Sequence, residues 1–458
     1  MQRLPEEIFK AYDIRGIAGS TLSAAHVEAI GQAIGSEAIE RGQSAIVTGR
    51  DGRLSGPELA AALIRGLLQS GIDVIDVGCV ATPMVYFAAH HLGTHSAVML
   101  TGSHNPAEYN GLKIVIGGET LSGDAIQSLK LRIERGDLRL GSGHYCEQDI
   151  AAAYVERIAS DVSLARPMKV AVDCGNGIAG AHVAKLYRRL GCSVEELYCE
   201  VDGSFPNHHP DPSDPNNLDA LIVALKNGDS EIGLAFDGDG DRIGVVTKGG
   251  HIICPDRLLM LFAADLLSRH PGAEIVYDIK CTRNLSGWIR QRGGKATIWK
   301  TGHSLIKARM RESGALLAAE MTGHLFFVER WYGFDDGLYA GARLLELLSR
   351  VDDIAGVLDA LPDSHATPEL HIKTREGEGR ELLARLKASA VFDGALDIVA
   401  LDGLRVEYAD GFGLVRASNT TPALMLRFEG DDEAALKRIQ QDFRRVIEAA
   451  APHLILPF

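Results

Sequence analysis

The sequence has little positive charge, no cysteine framework and no long hydrophobic run. Its 458 residues include 47 lysines and arginines against 61 aspartates and glutamates, so the net charge is −14 at pH 7. Such a charge repels nucleic acid and anionic membrane surfaces, which excludes both as general partners. The longest stretch without Asp, Glu, Lys or Arg, residues 77–107, contains glycine, proline and four histidines and therefore predicts no transmembrane helix.

The cysteines do not form a recognisable pattern. The seven cysteines are scattered, no C-x-x-C motif occurs, and an odd number in a large chain is not typical of a disulfide framework. The N-terminal residues MQRLPEEIFK contain no apolar segment of the kind that a signal peptide requires. We therefore predict reduced thiols, no targeting segment and a cytoplasmic location.

Three segments of the chain resemble one another: residues 45–78, 169–199 and 274–302. Each has an apolar run, a glycine-rich or polar turn, an amphipathic helical stretch, a glycine and a second apolar run. This order is that of a βαβ unit. Three such units predict parallel or mixed sheets that carry helices on their faces and have right-handed crossovers.

The residues after 365 follow a different pattern, with short strand-like runs lying between helical segments, which is typical of an α+β domain. We therefore predict an α/β protein of three related domains with mixed sheets, followed by a C-terminal α+β domain. The predicted domains are residues 1–150, 151–252, 253–365 and 366–458.

The segment LAFDGDGDRIGVV is the strongest motif. Asp237, Asp239 and Asp241 alternate with glycines between two apolar runs, so their side chains face one side of an extended loop. Three converging carboxylates repel one another unless a cation lies between them, and oxygen ligands suit Mg²⁺. An EF-hand is excluded, because Arg242 and Lys248 stand where that loop needs glycine and glutamate.

A serine follows another apolar run in VMLTGSHNP. Ser103 comes just after the predicted strand, between Gly102 and His104. A serine in this position can be a nucleophile or a phosphate acceptor, and it can equally belong to an ordinary polar turn. The nucleophile elbow of an α/β-hydrolase is excluded, because that elbow requires G-x-S-x-G.

Two motifs contain groups that suit a phosphorylated sugar. In AAEMTGHLFF, Glu320 and Thr322 can bind sugar hydroxyls and His324 can move protons near neutral pH, although a structural histidine is the commoner case. In VRASNTTP, Arg416 is followed by several hydroxyls and turn amides, which predicts either a phosphate site or a Ser/Thr-rich turn.

Three weaker motifs leave alternatives open. Tyr12 and Arg15 in KAYDIRG, and His303 in WKTGHS, are consistent with an anion site or with local structural contacts. The segment DCGNGIAG matches the dinucleotide fingerprint G-x-G-x-x-G. The other two repeats lack these glycines, which favours a tight turn. An oxidoreductase and a non-catalytic sugar-phosphate-binding protein are the alternatives from other functional classes.

The motifs TGSHNP, DGDGDR, EMTGH and RASNTTP follow one another in this order, together with AYDIRG, GRDGR and HHPDPSDPNNL. This set resembles the α-D-phosphohexomutase superfamily, most closely its bacterial phosphomannomutase/phosphoglucomutase branch, over essentially the whole chain. The resemblance implies four domains around a central cleft and reversible transfer of phosphate between the 1- and 6-positions of mannose or glucose phosphates. It further implies Mg²⁺ and a hexose 1,6-bisphosphate intermediate, and we expect a monomer.

The resemblance also implies roles for individual residues. Ser103 would be the phosphoserine, and it would bind Mg²⁺ together with the three aspartates. The other catalytic residues would be Arg15, Lys113, Arg242 and His324, with Lys113 and His324 as candidate general base and acid. The residues implied in substrate binding are Tyr12, Asn105, Lys280, His303, Glu320, Thr322, Arg416, Ser418, Asn419 and Thr420.

Two positions bear on the substrate. The family usually has serine where Thr322 stands, so the hydroxyl is kept and a methyl group is added. Phosphoglucosamine mutases, the alternative within the superfamily, typically have glutamine where Met321 stands. This residue therefore favours mannose and glucose phosphates.

Overall fold

The computed structural model of the protein describes residues 4–375, 377–418 and 422–458. Consecutive parts of this chain form four sheets. The first three sheets contain both parallel and antiparallel strands, and the fourth is antiparallel throughout. The predicted fold class, three related α/β domains with mixed sheets and a C-terminal α+β domain, is therefore confirmed.

The first domain is built on a sheet of seven strands in the order β1-β5-β4-β2-β3-β7, with β6 paired to β5. Strands β2, β3, β4 and β7 run parallel, whereas β1 and β5 are antiparallel to their neighbours. Its elements are β1 (Ile14–Ile17), α1 (Ala24–Glu40), β2 (Ala45–Arg50), α2 (Gly56–Ser70), β3 (Asp73–Cys79), α3 (Thr82–His91), β4 (Ala97–Leu100), β5 (Tyr109–Ile116), β6 (Glu119–Thr120), α4 (Asp124–Arg135) and β7 (Tyr145–Glu147).

The second domain has the strand order β12-β11-β10-β8-β9, and β8, β9 and β10 are parallel. Strand β10 is buried at every position, as expected of a strand that is covered on both faces. The elements of the second domain are α5 (Ala151–Ala159), β8 (Lys169–Asp173), α6 (Val183–Arg189), β9 (Ser193–Leu197), α7 (Asp219–Asn227), β10 (Ile232–Phe236), β11 (Ile243–Thr247) and β12 (Ile252–Ile253).

The third domain has the strand order β14-β13-β15-β16, and helices alternate with its first strands along the chain. Its elements are α8 (Pro255–Arg269), β13 (Glu274–Asp278), α9 (Asn284–Gln291), β14 (Lys295–Trp299), α10 (His303–Ser313), β15 (Leu317–Ala319), β16 (Leu325–Phe327), α11 (Gly337–Leu348) and α12 (Ile354–Asp359).

The fourth domain has the order β17-β22-β21-β20-β19, with β18 also paired to β22. Its elements are β17 (His365–Ala366), β18 (Leu370–Lys373), α13 (Glu378–Ser389), β19 (Asp397–Val399), β20 (Leu404–Tyr408), β21 (Gly411–Ala417), β22 (Ala423–Gly430) and α14 (Glu433–Ala450). The four ranges predicted from the sequence stay a proposal. The sheets would move two boundaries by one residue, because Ile253 belongs to the second sheet and His365 to the fourth.

The same hairpin occurs in each of the first three domains. One strand lies parallel to the first strand of the repeat and then turns back into an antiparallel partner, as in β4–β5, β10–β11 and β15–β16. The turns of these hairpins contain the TGSHNP, DGDGDR and EMTGH motifs. The three strongest motifs of the first three domains therefore occupy one topological position, repeated three times.

Hydrophobic packing joins the domains. One continuous core includes α3 of the first domain and many buried residues of the second and third, whereas most of the core of the fourth domain is its own. A smaller cluster of Ile279 with Phe412 and Leu414 joins the third and fourth domains. Within the described residues, all seven cysteines are free. No helix in that part of the chain has the length and apolar composition that a membrane crossing requires.

A close contact between α1 and α2 generates a stability prediction. A Cβ atom at Gly66 would lie 2.0 Å from the carbonyl oxygen of Glu28, so Gly66→Ala should lower the free energy of unfolding by about 1–3 kcal/mol. Gly287→Ala is the matched control, because that helical glycine is exposed and has no atom within 4 Å of the added Cβ. Thermal unfolding should show a lower Tm for the first variant and an unchanged or higher Tm for the second; equal Tm values would contradict the packing argument.

Candidate active site

Two of the predicted side chains of the first domain contact the DGDGDR turn of the second, residues 237–242, which we call the aspartate loop. Ser103 Oγ donates a hydrogen bond to Asp237 Oδ2 at 3.0 Å, and Lys113 Nζ donates to Asp239 Oδ2 at 2.7 Å. Lys113 also donates to the Asp241 carboxylate. All five residues are at most 3 % exposed. The structure thus brings together the serine, the lysine and the three aspartates that the sequence singled out.

Ser103 is held in an unusual backbone conformation. Its φ angle is +50°, in the left-handed region that residues with a Cβ atom rarely adopt. The Ser103 N–H donates to Thr101 Oγ1 at 2.7 Å, and its carbonyl accepts from Arg53 Nη2 at 2.6 Å. Strained backbone of this kind persists where surrounding contacts over-determine it, and it is common at functional sites. Here those contacts direct the hydroxyl towards Asp237.

The three aspartates suit one hard divalent cation. One oxygen from each lies within 4.8 Å of the others, and all three residues are buried. Burial, together with the charges of Asp239 and Asp241, raises the pKa of Asp237 well above its ordinary value. Asp239 Oδ2 accepts hydrogen bonds from Lys113 and Thr82, but Asp239 Oδ1 has no hydrogen-bond partner among the described residues. An oxygen donor set with an unsatisfied buried carboxylate oxygen fits Mg²⁺.

The EMTGH loop of the third domain reaches the same carboxylates. His324 Nδ1 lies 2.9 Å from Glu320 Oε2, and His324 Nε2 lies 3.3 Å from Asp241 Oδ1. Burial opposes the positive charge on the ring, but these carboxylates outweigh it and raise the pKa of His324 to about 9. His324 is therefore charged at neutral pH. Arg242 Nε lies 3.8 Å from Asp237 Oδ2 and adds a second cation to the cluster.

Thr301 of the third domain contacts residues of the first and fourth domains. Its carbonyl accepts a hydrogen bond from the Tyr12 hydroxyl of the first domain at 2.8 Å. Its N–H donates at 3.0 Å to Asp402 Oδ2 of the fourth domain, and Asp402 in turn pairs with Arg416 at 3.1 Å. The next residue, Gly302, donates its N–H to Glu320 Oε1 at 2.5 Å. Tyr12 and Glu320 are thus connected to Arg416 through the backbone of Thr301 and Gly302 and the carboxylate of Asp402.

The remaining predicted residues lie around this cluster. Arg15 donates to Asn105 Oδ1, and both residues line a cavity of about 500 Å³. His303 Nδ1 lies 3.5 Å from Asp335 Oδ2, and burial followed by the charge of Lys307 holds the pKa of His303 well below its ordinary value. Lys280 Nζ pairs at 3.1 Å with Glu369 of the fourth domain.

Three further predicted residues are described by the structure, and two cannot be placed. Thr322 is half-buried, with its hydroxyl 3.3 Å from His324 Nδ1. Arg416 is buried, and its Nε has no hydrogen-bond partner among the described residues. Ser418 lines a cavity of about 790 Å³ between the first and fourth domains. Asn419 and Thr420 lie outside the described residues.

The glycines of DCGNGIAG are accounted for by packing. A Cβ atom at Gly177 would lie 2.9 Å from Gly238 Cα, and one at Gly180 would lie 2.1 Å from the Cys199 carbonyl oxygen. Ile178 N–H also donates to the Gly238 carbonyl at 3.1 Å. The close approach of this turn to the aspartate loop explains the motif without a dinucleotide, as the comparison with the other repeats indicated.

Several residues of the site were missed by sequence reasoning. Thr82 Oγ1 donates to Asp239 Oδ2 at 2.5 Å, and the Thr82 N–H donates to the Asp239 carbonyl at 2.9 Å. Asp335 lies beside His303, and Asp402 beside Thr301. These residues have no local motif, and only Thr82, the first residue of α3 and followed by Pro83, had a positional signal. Arg53 belongs to the GRDGR motif, but no role followed from that motif.

Four consecutive parts of the chain match known domain families. Residues 6–139, 152–250 and 254–364 match phosphoglucomutase/phosphomannomutase alpha/beta/alpha domains I, II and III, and residues 369–446 match the C-terminal domain of the same proteins. The chain belongs to the phosphoglucomutase/phosphomannomutase family. It is therefore a phosphohexomutase, and the resemblance noted in the sequence is confirmed.

Full-length relatives agree with this assignment. The chain is 57% identical to a phosphoglucomutase of Neisseria gonorrhoeae, with 100% of both chains covered. It is 55% identical to a phosphomannomutase/phosphoglucomutase of Pseudomonas aeruginosa, over 99% of this chain and 98% of that one. The crystal structure of a family protein from Burkholderia thailandensis superposes with a TM-score of 0.96 at 56% identity, covering 99% of this chain and 100% of that one.

The buried carboxylates generate a prediction about metal binding. Mg²⁺ should raise the Tm of the protein, because it relieves the mutual repulsion of three buried carboxylates. Asp239→Asn should bind Mg²⁺ more weakly and show a smaller Tm rise. Asp173→Asn is the control, because Asp173 is buried nearby but its carboxylate accepts from Gly175 N–H and lies outside the cluster. Equal Mg²⁺ responses in all three proteins would contradict the assignment.

Proposed function

We propose that this phosphohexomutase transfers phosphate reversibly between the 1- and 6-positions of mannose and glucose phosphates, through a phosphoserine at Ser103 and a hexose 1,6-bisphosphate. One observation carries the proposal: the Ser103 hydroxyl lies 3.0 Å from Asp237 in a buried cluster that also contains Lys113, Arg242 and His324. A hydroxyl beside metal-binding carboxylates and cations is the arrangement that phosphoryl transfer to and from a side chain requires.

Charge neutralisation explains the composition of the cluster. A phosphoserine carries about −1.5 to −2 charges at pH 7, and the substrate brings a second phosphate. Mg²⁺ held by the three aspartates would supply Lewis-acid stabilisation of the phosphate oxygens. Lys113 and Arg242 supply positive charge on the protein side, and Arg15 supplies it beside Asn105. These cations lower the cost of bringing two anions into one buried site.

Proton transfer is assigned to Lys113 and His324. The sugar hydroxyl that receives the phosphate must lose a proton, and the group that leaves must gain one. His324 is charged at neutral pH and therefore suits the role of acid. Burial opposes the charge of Lys113, but Asp239 and Asp241 outweigh it and raise the pKa of Lys113 well above its ordinary value, so Lys113 is a cation in the structure. We propose it as the base only when a bound metal takes over those carboxylates, which would lower its pKa.

The intermediate must turn end over end before the second transfer. We assign one phosphate site to both ends of the sugar, formed by Arg416 with Ser418, Asn419 and Thr420. The buried Nε of Arg416, which lacks a partner among the described residues, supports this role. Glu320 and Thr322 would bind the sugar hydroxyls. Because Glu320 contacts Gly302 and His324 in the structure, sugar binding would replace or share those contacts.

The alternative within the superfamily is a phosphoglucosamine mutase. Met321 argues against it, because a thioether cannot donate the hydrogen bond that the glutamine typical of those enzymes offers. Met321 is a half-buried residue of the EMTGH loop, and its N–H donates to Asp278 Oδ1 at 3.3 Å. A coupled assay on mannose-, glucose- and glucosamine-1-phosphate decides between these substrates. The monomeric state and the cytoplasmic location stay predictions.

Replacement of the acceptor hydroxyl tests the proposal most directly. Ser103→Ala should lower mutase activity roughly a thousandfold or more, because the covalent step is lost, and the variant should carry no phosphate in its intact mass. Ser96→Ala is the control, since Ser96 is equally buried but donates to Gln43 outside the site. Full activity of the first variant would exclude the phosphoserine. A wild-type protein that binds hexose phosphate without ever acquiring phosphate would be a binding protein instead.

Arg416→Ala should mainly weaken substrate binding. Loss of a charge-assisted phosphate contact costs about 1.5–3 kcal/mol, so KM should rise roughly 10- to 150-fold while kcat changes little. Arg416→Lys should have a KM between those of the wild type and Arg416→Ala, because lysine keeps the charge but loses the bidentate geometry. Steady-state kinetics with each variant provide the measurement. A fall in kcat at constant KM would show that Arg416 stabilises the transition state and does not serve to bind the substrate phosphate.

A further inference from the structure

Arg53 lies beneath the segment from Thr101 to Tyr109, the first residue of β5, which we call the serine loop, and it has no role in the proposed mechanism. Its side chain is completely buried, although it follows β2 in a loop of the first domain. Burying a guanidinium is costly unless every donor and the charge are compensated. The contacts of Arg53 therefore show what the fold uses this residue for.

Each of the five N–H donors of Arg53 has an acceptor. Arg53 Nε donates to Asp51 Oδ2 at 3.1 Å, which also balances the charge. The other four donors contact backbone carbonyl oxygens of one loop, at 2.6 to 2.9 Å. These four acceptors are the carbonyl groups of Ser103, Asn105, Pro106 and Tyr109. Because a guanidinium has five donors, none is left for a substrate phosphate.

The surrounding residues keep the guanidinium in this position. A Cβ atom at Gly102 would lie 2.4 Å from Arg53 Cζ, so the glycine of TGSHNP is needed for the loop to lie directly over the arginine. On another side, the Phe205 ring of the second domain lies 5.2 Å from Arg53 Cζ. Asp51 itself is held by Thr101 Oγ1 at 2.7 Å. The arginine is thus enclosed by the serine loop and Asp51 of the first domain and by Phe205 of the second.

We propose that Arg53 is a positioning residue for phosphoryl transfer. It fixes Ser103 in its left-handed conformation and compensates the negative ends of the carbonyl dipoles of the serine loop. Four carbonyl oxygens converge on one cation, so their negative ends are compensated before a phosphate arrives. The hydroxyl of Ser103 is thereby held at Asp237 with no reorganisation during the reaction. The inference rests on the proposed phosphoserine function.

The test measures how fast dephosphorylated enzyme takes up phosphate from glucose 1,6-bisphosphate, followed by intact mass in a quenched time course. Arg53→Lys keeps the charge but offers its donors from one point, so it cannot satisfy Asp51 and the loop together. We expect transfer to Ser103 to slow about a hundredfold, the effect of a misplacement of about 1 Å, while KM for hexose phosphate stays unchanged.

Two further variants keep the proposal testable if Arg53→Lys does not fold. The double variant Asp51→Asn/Arg53→Met removes both buried charges at once, and Gly102→Ala pushes the loop away from an intact Arg53–Asp51 pair. Both should show the same selective loss of the transfer rate. Arg343→Lys is the matched control, because Arg343 is equally buried and pairs with Glu329 at 2.9 Å, away from the serine loop. It should lower Tm without slowing transfer.

The outcomes separate this inference from the function on which it rests. If wild-type enzyme takes up no phosphate at Ser103, the phosphoserine function fails and the role of Arg53 fails with it. If wild-type enzyme is phosphorylated and the folded variants of Arg53 and Gly102 match its rate, only the inference is overturned. A lower Tm in those variants with an unchanged transfer rate also overturns it, because Arg53 then serves stability alone.

Discussion

Three buried carboxylates that need compensation determine how the active site is assembled. Asp237, Asp239 and Asp241 come from one loop of the second domain, but the groups that balance them come largely from elsewhere. Lys113 belongs to the first domain and His324 to the third. A buried charge without a partner is strongly destabilising, so the aspartate loop favours an arrangement in which the neighbouring domains bring their cations to it. The serine arrives at Asp237 as part of the same contact.

The repeated fold explains why three short turns are enough to supply most of the side chains of the candidate site. Each of the first three domains has the same hairpin, and in each the turn holds side chains of the candidate site: the hydroxyl that we propose as phosphate acceptor, a set of carboxylates, and a carboxylate with a charged histidine. When related domains pack around one point, equivalent turns meet there. A repeated domain thus yields three different sets of side chains at one site, whereas the strands behind them need only a buried apolar sequence.

The sequence predicted the fold class and the convergence of the carboxylates because both depend on local patterns. Apolar runs separated by glycine-rich turns predict βαβ units, and alternating Asp and Gly residues place the carboxylates on one side. Thr82, Asp402 and Arg53 were missed because their roles depend on contacts with residues far away in sequence. Glu320 was identified, but its contact with Gly302 could not be read from its motif.

The fourth domain is attached in a way that suits the turning of an intermediate. Arg405 donates to the carbonyl oxygens of Ile279 and Cys281 at 2.7 Å, and Thr282 Oγ1 donates to Glu429 at 2.9 Å, so both backbone and side chains of the third domain hold the fourth. Most of its core is its own, although Phe412 and Leu414 pack against Ile279 of the third domain, and its connection towards Glu320 runs through Asp402 and the Thr301 backbone. The proposed phosphate site therefore lies on a different domain from Lys113, Arg242 and His324, the cations that lie beside the three aspartates. In the proposed mechanism the sugar changes the end that it offers to that site, and this exchange breaks none of the contacts described above for the three aspartates, because those contacts come from the first three domains.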